Sequence, residues 1–176
     1  MTIDKPLLSL TAADLMSPTV LTIPENMSLH GAAHLLAQAQ ISGAPVVNSD
    51  GRCVGVISAQ DFVALADQGP RSAKQPGHAE CFCSAWQIMN GDQLPEDVVR
   101  NYMTADPVTV STGALVGALA QMMVDAHIHR VIVLDRSRRP IGVVSSIEVL
   151  AAVARAARAD RSELDHPSYA AHGVCS

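Results

Sequence analysis

Rings are scarce in this chain. One Trp, two Tyr and two Phe bring aromatics to only 3% of the 176 residues, so no stacking platform for a planar ligand is evident. Charged residues are also few, at 16% against 48% hydrophobic. That balance leaves apolar surface in excess, and a second copy of the chain is the expected cover for part of it. Long apolar runs are missing as well: the longest candidate, 141–157, is broken by Glu148 and Arg155, and falls short of the roughly 18 to 20 residues of a membrane span. The start, Met-Thr-Ile-Asp-Lys-Pro, has no basic region followed by an apolar stretch. No secretory signal is read there, and a cytoplasmic location is expected.

Catalytic signatures are equally absent. His30 and His34 stand at i, i+4 but lack the Glu of a His-Glu-x-x-His site. There is no phosphate-cradling glycine loop, nucleophile elbow or dinucleotide fingerprint, so the chain reads as a non-enzyme. His78, Cys81, Cys83, His172 and Cys175 are donor types that suit zinc, but their spacing is not that of a paired structural site. They are read as free residues with no metal, and Cys53 as an ordinary strand residue. The net charge of -5 opposes attraction to phosphate backbones. Seven of the twelve Lys and Arg residues nevertheless fall at Arg130, Arg136, Arg138, Arg139, Arg155, Arg158 and Arg161, in the second half.

What the chain does have is a repeat. Met16 and Met103, Thr22 and Thr109, Ala33 and Ala120, Val46 and Val133, Gly55 and Gly142, and Ser58 and Ser145 are all identical pairs 87 positions apart. Ser17/Thr104, Leu36/Met123 and Asp61/Glu148 are similar pairs in the same register. One duplicated supersecondary unit with pseudo-two-fold symmetry is implied.

Each copy reads as strand, helix, strand, strand, helix. In the first, Thr11 to Asp14 form a capping box opening a short helix, and 20–23 is extended between Pro18 and Pro24. Ser28 caps a helix to about Gln40 with Leu29, Ala32, Ala33, Leu36 and Ala37 on one face. Val46 and Val47, a turn at 48–51, a strand at 54–57 and a helix over 58–65 complete the unit. The second copy has a strand at 107–110, a helix over 114–126, strands at 131–134 and 141–144, and a longer helix from Ser145 to about Ala159. Its apolar face is assigned to Ile147, Leu150, Ala151, Ala154 and Ala157. Residues 95–103 are expected to be a helix leading into this copy. The division is therefore 12–66 for repeat one, 67–94 for a linker or insertion, 95–159 for repeat two and 160–176 for a mobile tail.

Gly55-Val-Ile-Ser58-Ala-Gln-Asp61 and Gly142-Val-Val-Ser145-Ser-Ile-Glu148, with Leu15-Met16-Ser-Pro18 and Tyr102-Met103-Thr-Ala-Asp-Pro107, resemble a tandem pair of cystathionine-beta-synthase (CBS) domains, a Bateman module. The resemblance implies an α+β fold with two clefts for adenosine-type ligands. It implies that Ser58 and Asp61 contact a ribose, with Ser145 and Glu148 as their counterparts. Independently, a Ser at a helix start with a carboxylate three residues on presents both groups on one face, able to bind a diol. The same two residues would equally form a capping box. Glu148 is longer than Asp61 by a methylene, and the second cleft is expected to be vacant or differently occupied.

His129-Arg130 resembles the His-Arg pair that holds phosphates in nucleotide-sensing members of the family, whereas Ser42-Gly43 holds the same place in repeat one. Arg binds phosphate bidentately. The resemblance implies one composite site, with Ser58 and Asp61 on ribose and His129 and Arg130 on phosphate. The base would rest between Thr22-Ile23 and Ala44-Pro45-Val46, on aliphatic side chains and backbone. The expected function is regulatory sensing of AMP, ADP or ATP, with S-adenosylmethionine or NAD as alternatives, by a homodimer signalling to an effector protein. No catalytic cofactor is expected. A ligand-free dimerisation adaptor is the rival reading, and nucleic-acid binding by the arginines is a third.

Overall fold

The computed structural model describes residues 5–68 and 97–164. The expected linker residues 69–94, the residues Pro95 and Glu96, the tail from 165, and with them His78, Cys81, Cys83, His172 and Cys175 lie outside the described residues. After a 3-10 turn at Leu7–Ser9 come α1 (Ala12–Leu15), β1 (Ile23–Pro24), α2 (Leu29–Gln38), β2 (Gly43–Val47), β3 (Cys53–Ser58) and α3 (Ala59–Gln68). A second 3-10 turn, Val99–Asn101, precedes β4 (Thr104–Ala105), β5 (Thr109–Ser111), α4 (Val116–Asp125), β6 (Arg130–Leu134), β7 (Pro140–Ser145) and α5 (Ser146–Leu164).

Two sheets carry these elements, in the orders β1-β2-β3-β4 and β5-β6-β7. In each, a short strand runs parallel to the first arm of an antiparallel hairpin: Ile23 opposite Val46 in one, Val110 opposite Val133 in the other. Strand β2 accommodates Pro45 because β1 pairs only with Val46 and Val47, so no ladder continues along that side at the proline. Alternation decides the rest. Ala44, Val46 and Ile57 turn to one face and meet Leu29, Ala32 and Leu36, one helical stripe of α2. The hydroxyl of Ser28 starts that helix by accepting from the Gly31 N–H at 3.1 Å.

The two repeats exchange their leading segments. Leu10, Ala12 and Leu15 are buried in the core of the second repeat, with Val116, Leu119, Val131, Val133 and Val144. Val99 and Met103 are buried in that of the first, with Phe62 and Leu65. The crossing is reciprocal and keeps the 87-residue register. Thr104 pairs with Val56 while Ser17 bridges to Val143, and Val98 bridges to Ser28 while Thr11 bridges to Leu115.

Two expectations are corrected. The described part of 95–103 holds a single 3-10 turn and no longer helix. Its start is fixed by the Asp97 carboxylate, which accepts from the Val98 N–H at 2.7 Å and from Asn101 at 2.8 Å, and its end departs into β4. Helix α5 is rotated from the assigned phase: Ile147 and Leu150 are 68% and 61% exposed, and Val149 and Ala152 face the core instead.

Helix α1 is short and is held by its cap. The Asp14 carboxylate accepts from the Thr11 N–H at 2.9 Å, the Thr11 hydroxyl at 2.8 Å and Lys5 Nζ at 2.8 Å. Lys5 first, then Thr11, hold the Asp14 carboxyl at about 2, below its ordinary 3.8. A depressed carboxyl stabilises the fold above its unfolded value and loses that contribution as pH falls through the folded one. Acid unfolding of wild type and Asp14→Asn is therefore expected to differ above pH 3.8 and to converge towards pH 2. A difference unchanged across that window would remove the charge from the account of this cap.

Candidate functional site

Ser58 ends β3 and immediately precedes α3, and Asp61 lies in the first turn of that helix. The Ser58 N–H and hydroxyl both donate to Asp61 Oδ2, each at 2.8 Å. This is a capping box with Asp at the third helical position, one of the two arrangements the sequence allows. It fixes a hydroxyl and a carboxylate side by side, both half-buried, at the positive end of a helix. Ser145 and Glu148 do the same in the second repeat, the Ser145 N–H donating at 2.7 Å and its hydroxyl donating to the same Glu148 Oε2. The longer side chain folds back onto its cap.

The second repeat reaches into this site. A guanidinium N–H of Arg130 donates to the Ser42 hydroxyl, and the Ser42 carbonyl accepts from the Ala59 N–H at 2.8 Å. Ala59 follows Ser58, and Gly43 lies opposite Ser58 in the β2–β3 ladder. One short chain of contacts thus joins a cation of repeat two to the Ser58–Asp61 corner of repeat one. His129 is exposed, and its carbonyl accepts from the Ser146 N–H at 2.9 Å, the counterpart of the Ser42–Ala59 bond. Ser42, which the sequence marks only as the place of a missing phosphate grip, is the partner of Arg130. Its signal was register, since it aligns with His129.

The side chains expected to cradle a base divide by the period of the strands. Ile23 and Val46 are fully buried and Ala44 is 2% exposed, all within the core of repeat one, so only their main chain can line a cleft. Thr22 is half-buried. Pro45 is buried outside both core clusters, as is its register mate Ile132, on the strand faces turned away from the helices. Gly43 leaves room at the corner, because a Cβ there would stand 3.1 Å from both the Ile57 carbonyl oxygen and the Ser58 Cβ.

A concavity of about 440 Å³ opens at the far end of β2, lined by Glu25, Asn48, Val98 and Arg100 among others. Glu25 and Arg100 bind each other there at 2.6 and 2.9 Å, and no expected site residue reaches it. Among the described residues no group of three His, Cys, Asp or Glu is placed to hold a metal ion. Burial pushes the Cys53 thiol up, the state of a core cysteine. No helix among the described residues is long and apolar enough to cross a membrane.

The CBS domain family model matches residues 12–67 and 99–155. Among curated proteins, homoserine O-acetyltransferase of Methanohalobium evestigatum is 25% identical over 137 residues, 78% of this chain but 23% of that protein. The chloroplastic CBS domain-containing protein CBSX2 of Arabidopsis thaliana is 26% identical over 149 residues, 81% of this chain and 63% of that protein. The chain thus spans less than two thirds of either relative. Among solved structures, CBSX2 in complex with AMP has a TM-score of 0.63 at 22% identity, covering 82% of this chain and 96% of that one. The CBS domain pair of protein MJ0100, in complex with 5′-methylthioadenosine and S-adenosyl-L-methionine, has a TM-score of 0.64 at 22% identity, covering 83% and 97%. At that identity these likenesses speak to the fold.

Proposed function

Because this chain belongs to the CBS domain family and carries two copies of the domain, we propose that it is a regulatory module that binds an adenosine-containing ligand between its repeats and signals to a partner protein. AMP, ADP or ATP is the favoured ligand, with S-adenosylmethionine or NAD as alternatives. The observation that carries the reading is the Arg130–Ser42 contact, which brings a cation of one repeat to the hydroxyl–carboxylate corner of the other. Ribose hydroxyls would engage Asp61 and Ser58, and a phosphate would draw Arg130 away from Ser42, with the base against Thr22, Pro45 and main chain. AMP bound by CBSX2, and the adenosine compounds bound by the MJ0100 pair, lend support. The second cleft, with Glu148, is assigned a different or empty state. The chain would act as a sensor and not as an enzyme.

Arg130→Ala separates phosphate from nucleoside recognition. A charge-assisted hydrogen bond contributes about 1.5–3 kcal/mol, so AMP is expected to bind about 10- to 100-fold more weakly to the variant. Adenosine should bind both proteins alike. An equal loss for adenosine, or no loss for AMP, would remove Arg130 from the phosphate.

The ligand-free adaptor keeps one observation in its favour, since Ser58 and Asp61 already satisfy each other. In either reading a second copy covers α5. Its stripe of Ile147, Leu150 and Val153 is exposed, and Val63 on α3, the register mate of Leu150, is 44% exposed, so both repeats present apolar residues at matching positions. Such a surface suits an isologous two-fold contact. Light scattering is expected to give a dimer for wild type and a folded monomer for Leu150→Asp. A monomeric wild type, or a variant that stays dimeric, would contradict this.

A further inference from the structure

The two hairpin turns, far from the Ser58–Asp61 corner, meet across the pseudo-two-fold axis. The Cys53 N–H donates to the Arg138 carbonyl at 2.9 Å, and a Cβ on Gly51 would stand 3.7 Å from Arg139 Nε. The symmetry-related bond cannot form, because Pro140 replaces Cys53 and has no N–H. Both turns are built alike. Asn48 Oδ1 accepts from the N–H groups of Asp50 and Arg52, and Asp135 Oδ1 from those of Ser137 and Arg139.

Their surfaces differ. Turn one reads Asn-Ser-Asp-Gly-Arg and turn two Asp-Arg-Ser-Arg-Arg. Together they gather Arg52, Arg136, Arg138 and Arg139, all exposed. No hydrogen bond or ion pair to these four guanidinium groups is made among the described residues. Of the nearby acids, Asp135 spends Oδ1 on two backbone N–H groups, and Asp50 lies on the exposed tip of turn one.

Arg138 is the informative residue. It holds φ +63, where its counterpart Gly51 holds φ +76. The left-handed region is open to glycine at no steric cost and disfavours a residue with a Cβ. Repeat two therefore carries an arginine at a backbone disadvantage in a turn that repeat one closes with glycine. Strain retained at an exposed charged position points to a use for the charge.

We infer that the joined turns 48–52 and 135–139 are a docking site for a short, carboxylate-rich segment of a partner protein. Planar guanidinium forks pair bidentately with carboxylates, and four of them on two adjoining turns suit several in succession. Neither turn offers an aromatic ring on which unpaired bases could stack. The chain's charge of -5 works against a long phosphate polymer, while a short acidic segment meets only the local arginines.

The test uses the full chain and a fluorescein-labelled hexaglutamate peptide as probe, followed by anisotropy at low salt, with a short DNA duplex as a second probe. Arg136→Ser with Arg138→Gly installs the residues that turn one has at those positions, Ser49 and Gly51. The peptide is expected to bind wild type in a salt-dependent manner and to bind the double variant about tenfold or more weakly, on the scale of one to two charge-assisted bonds. The melting temperature of Arg138→Gly should not fall below that of wild type, which separates lost binding from lost folding. No binding of the peptide to wild type, undiminished binding to the double variant, or tighter binding of the duplex than of the peptide would each overturn the proposal.

Discussion

Asp61→Glu is expected to weaken AMP binding by about tenfold or more while leaving thermal stability unchanged, because one carboxylate serves two purposes that the longer side chain separates. The structural purpose is the cap: Asp61 Oδ2 accepts both Ser58 donors. Glu148 performs that task at the matching place in repeat two, so a glutamate can make this cap. The proposed binding purpose is the ribose diol, whose two hydroxyls need a carboxylate at one depth in the cleft. The longer side chain introduced at this position would fold back as Glu148 does and present its oxygens differently. Asp61→Ala is less informative, since it also removes a cap that contributes about 0.5–2 kcal/mol. Calorimetric titration and a thermal melt on the same sample read both effects. A variant that binds AMP like wild type would detach Asp61 from the ligand, and one that melts early would show the cap to depend on aspartate.

Gly55→Ala is expected to destabilise the protein by about 1–3 kcal/mol, the range for forcing a methyl group into a packed interior. A Cβ at residue 55 would lie 2.5 Å from Met103 Sδ and 2.9 Å from the Thr104 carbonyl oxygen. The sulfur can move, but the carbonyl belongs to β4, paired with β3 across the repeat exchange. Gly142→Ala should cost less, because the nearest atoms to its Cβ all belong to the Met16 side chain. Denaturant unfolding of the two variants measures the difference. Equal effects, or a Gly55→Ala protein as stable as wild type, would mean that the exchanged segment yields easily and does not lock the repeats together.

That exchange is the part of the fold the sequence did not reveal. The duplicated unit, its element order and the caps at Thr11, Ser28 and Ser58 were legible, because register, period and cap chemistry are local properties. Which sheet a two-residue strand joins is not local. Met16, Met103, Gly55 and Gly142 were visible as repeat pairs, but nothing in their spacing says that each methionine packs on the other repeat's glycine. The phase of α5 was misread for a related reason. Alanine and valine surround most of that helix, so apolar period alone cannot choose between the Ile147–Leu150 stripe and the Val149–Ala152 stripe. At the proposed site, Ser58, Asp61 and Arg130 are named by the resemblance of their segments to CBS domains, and Ser42 stands there only as a missing grip. The burial of Ala44 and Val46 was within reach of strand alternation, given Ile57 across the ladder from Ala44.

The claim at the centre is that one adenosine site is assembled from both repeats. Titration calorimetry of AMP, ATP, NAD and S-adenosylmethionine into protein first shown to be free of nucleotide tests it most directly. The account predicts micromolar binding of an adenosine compound with one ligand per chain, at the cleft of Ser58, Asp61 and Arg130. No heat from any of the four, or two equal sites per chain, would contradict it, the first result favouring the empty adaptor and the second a cleft at Glu148 as competent as the one at Asp61.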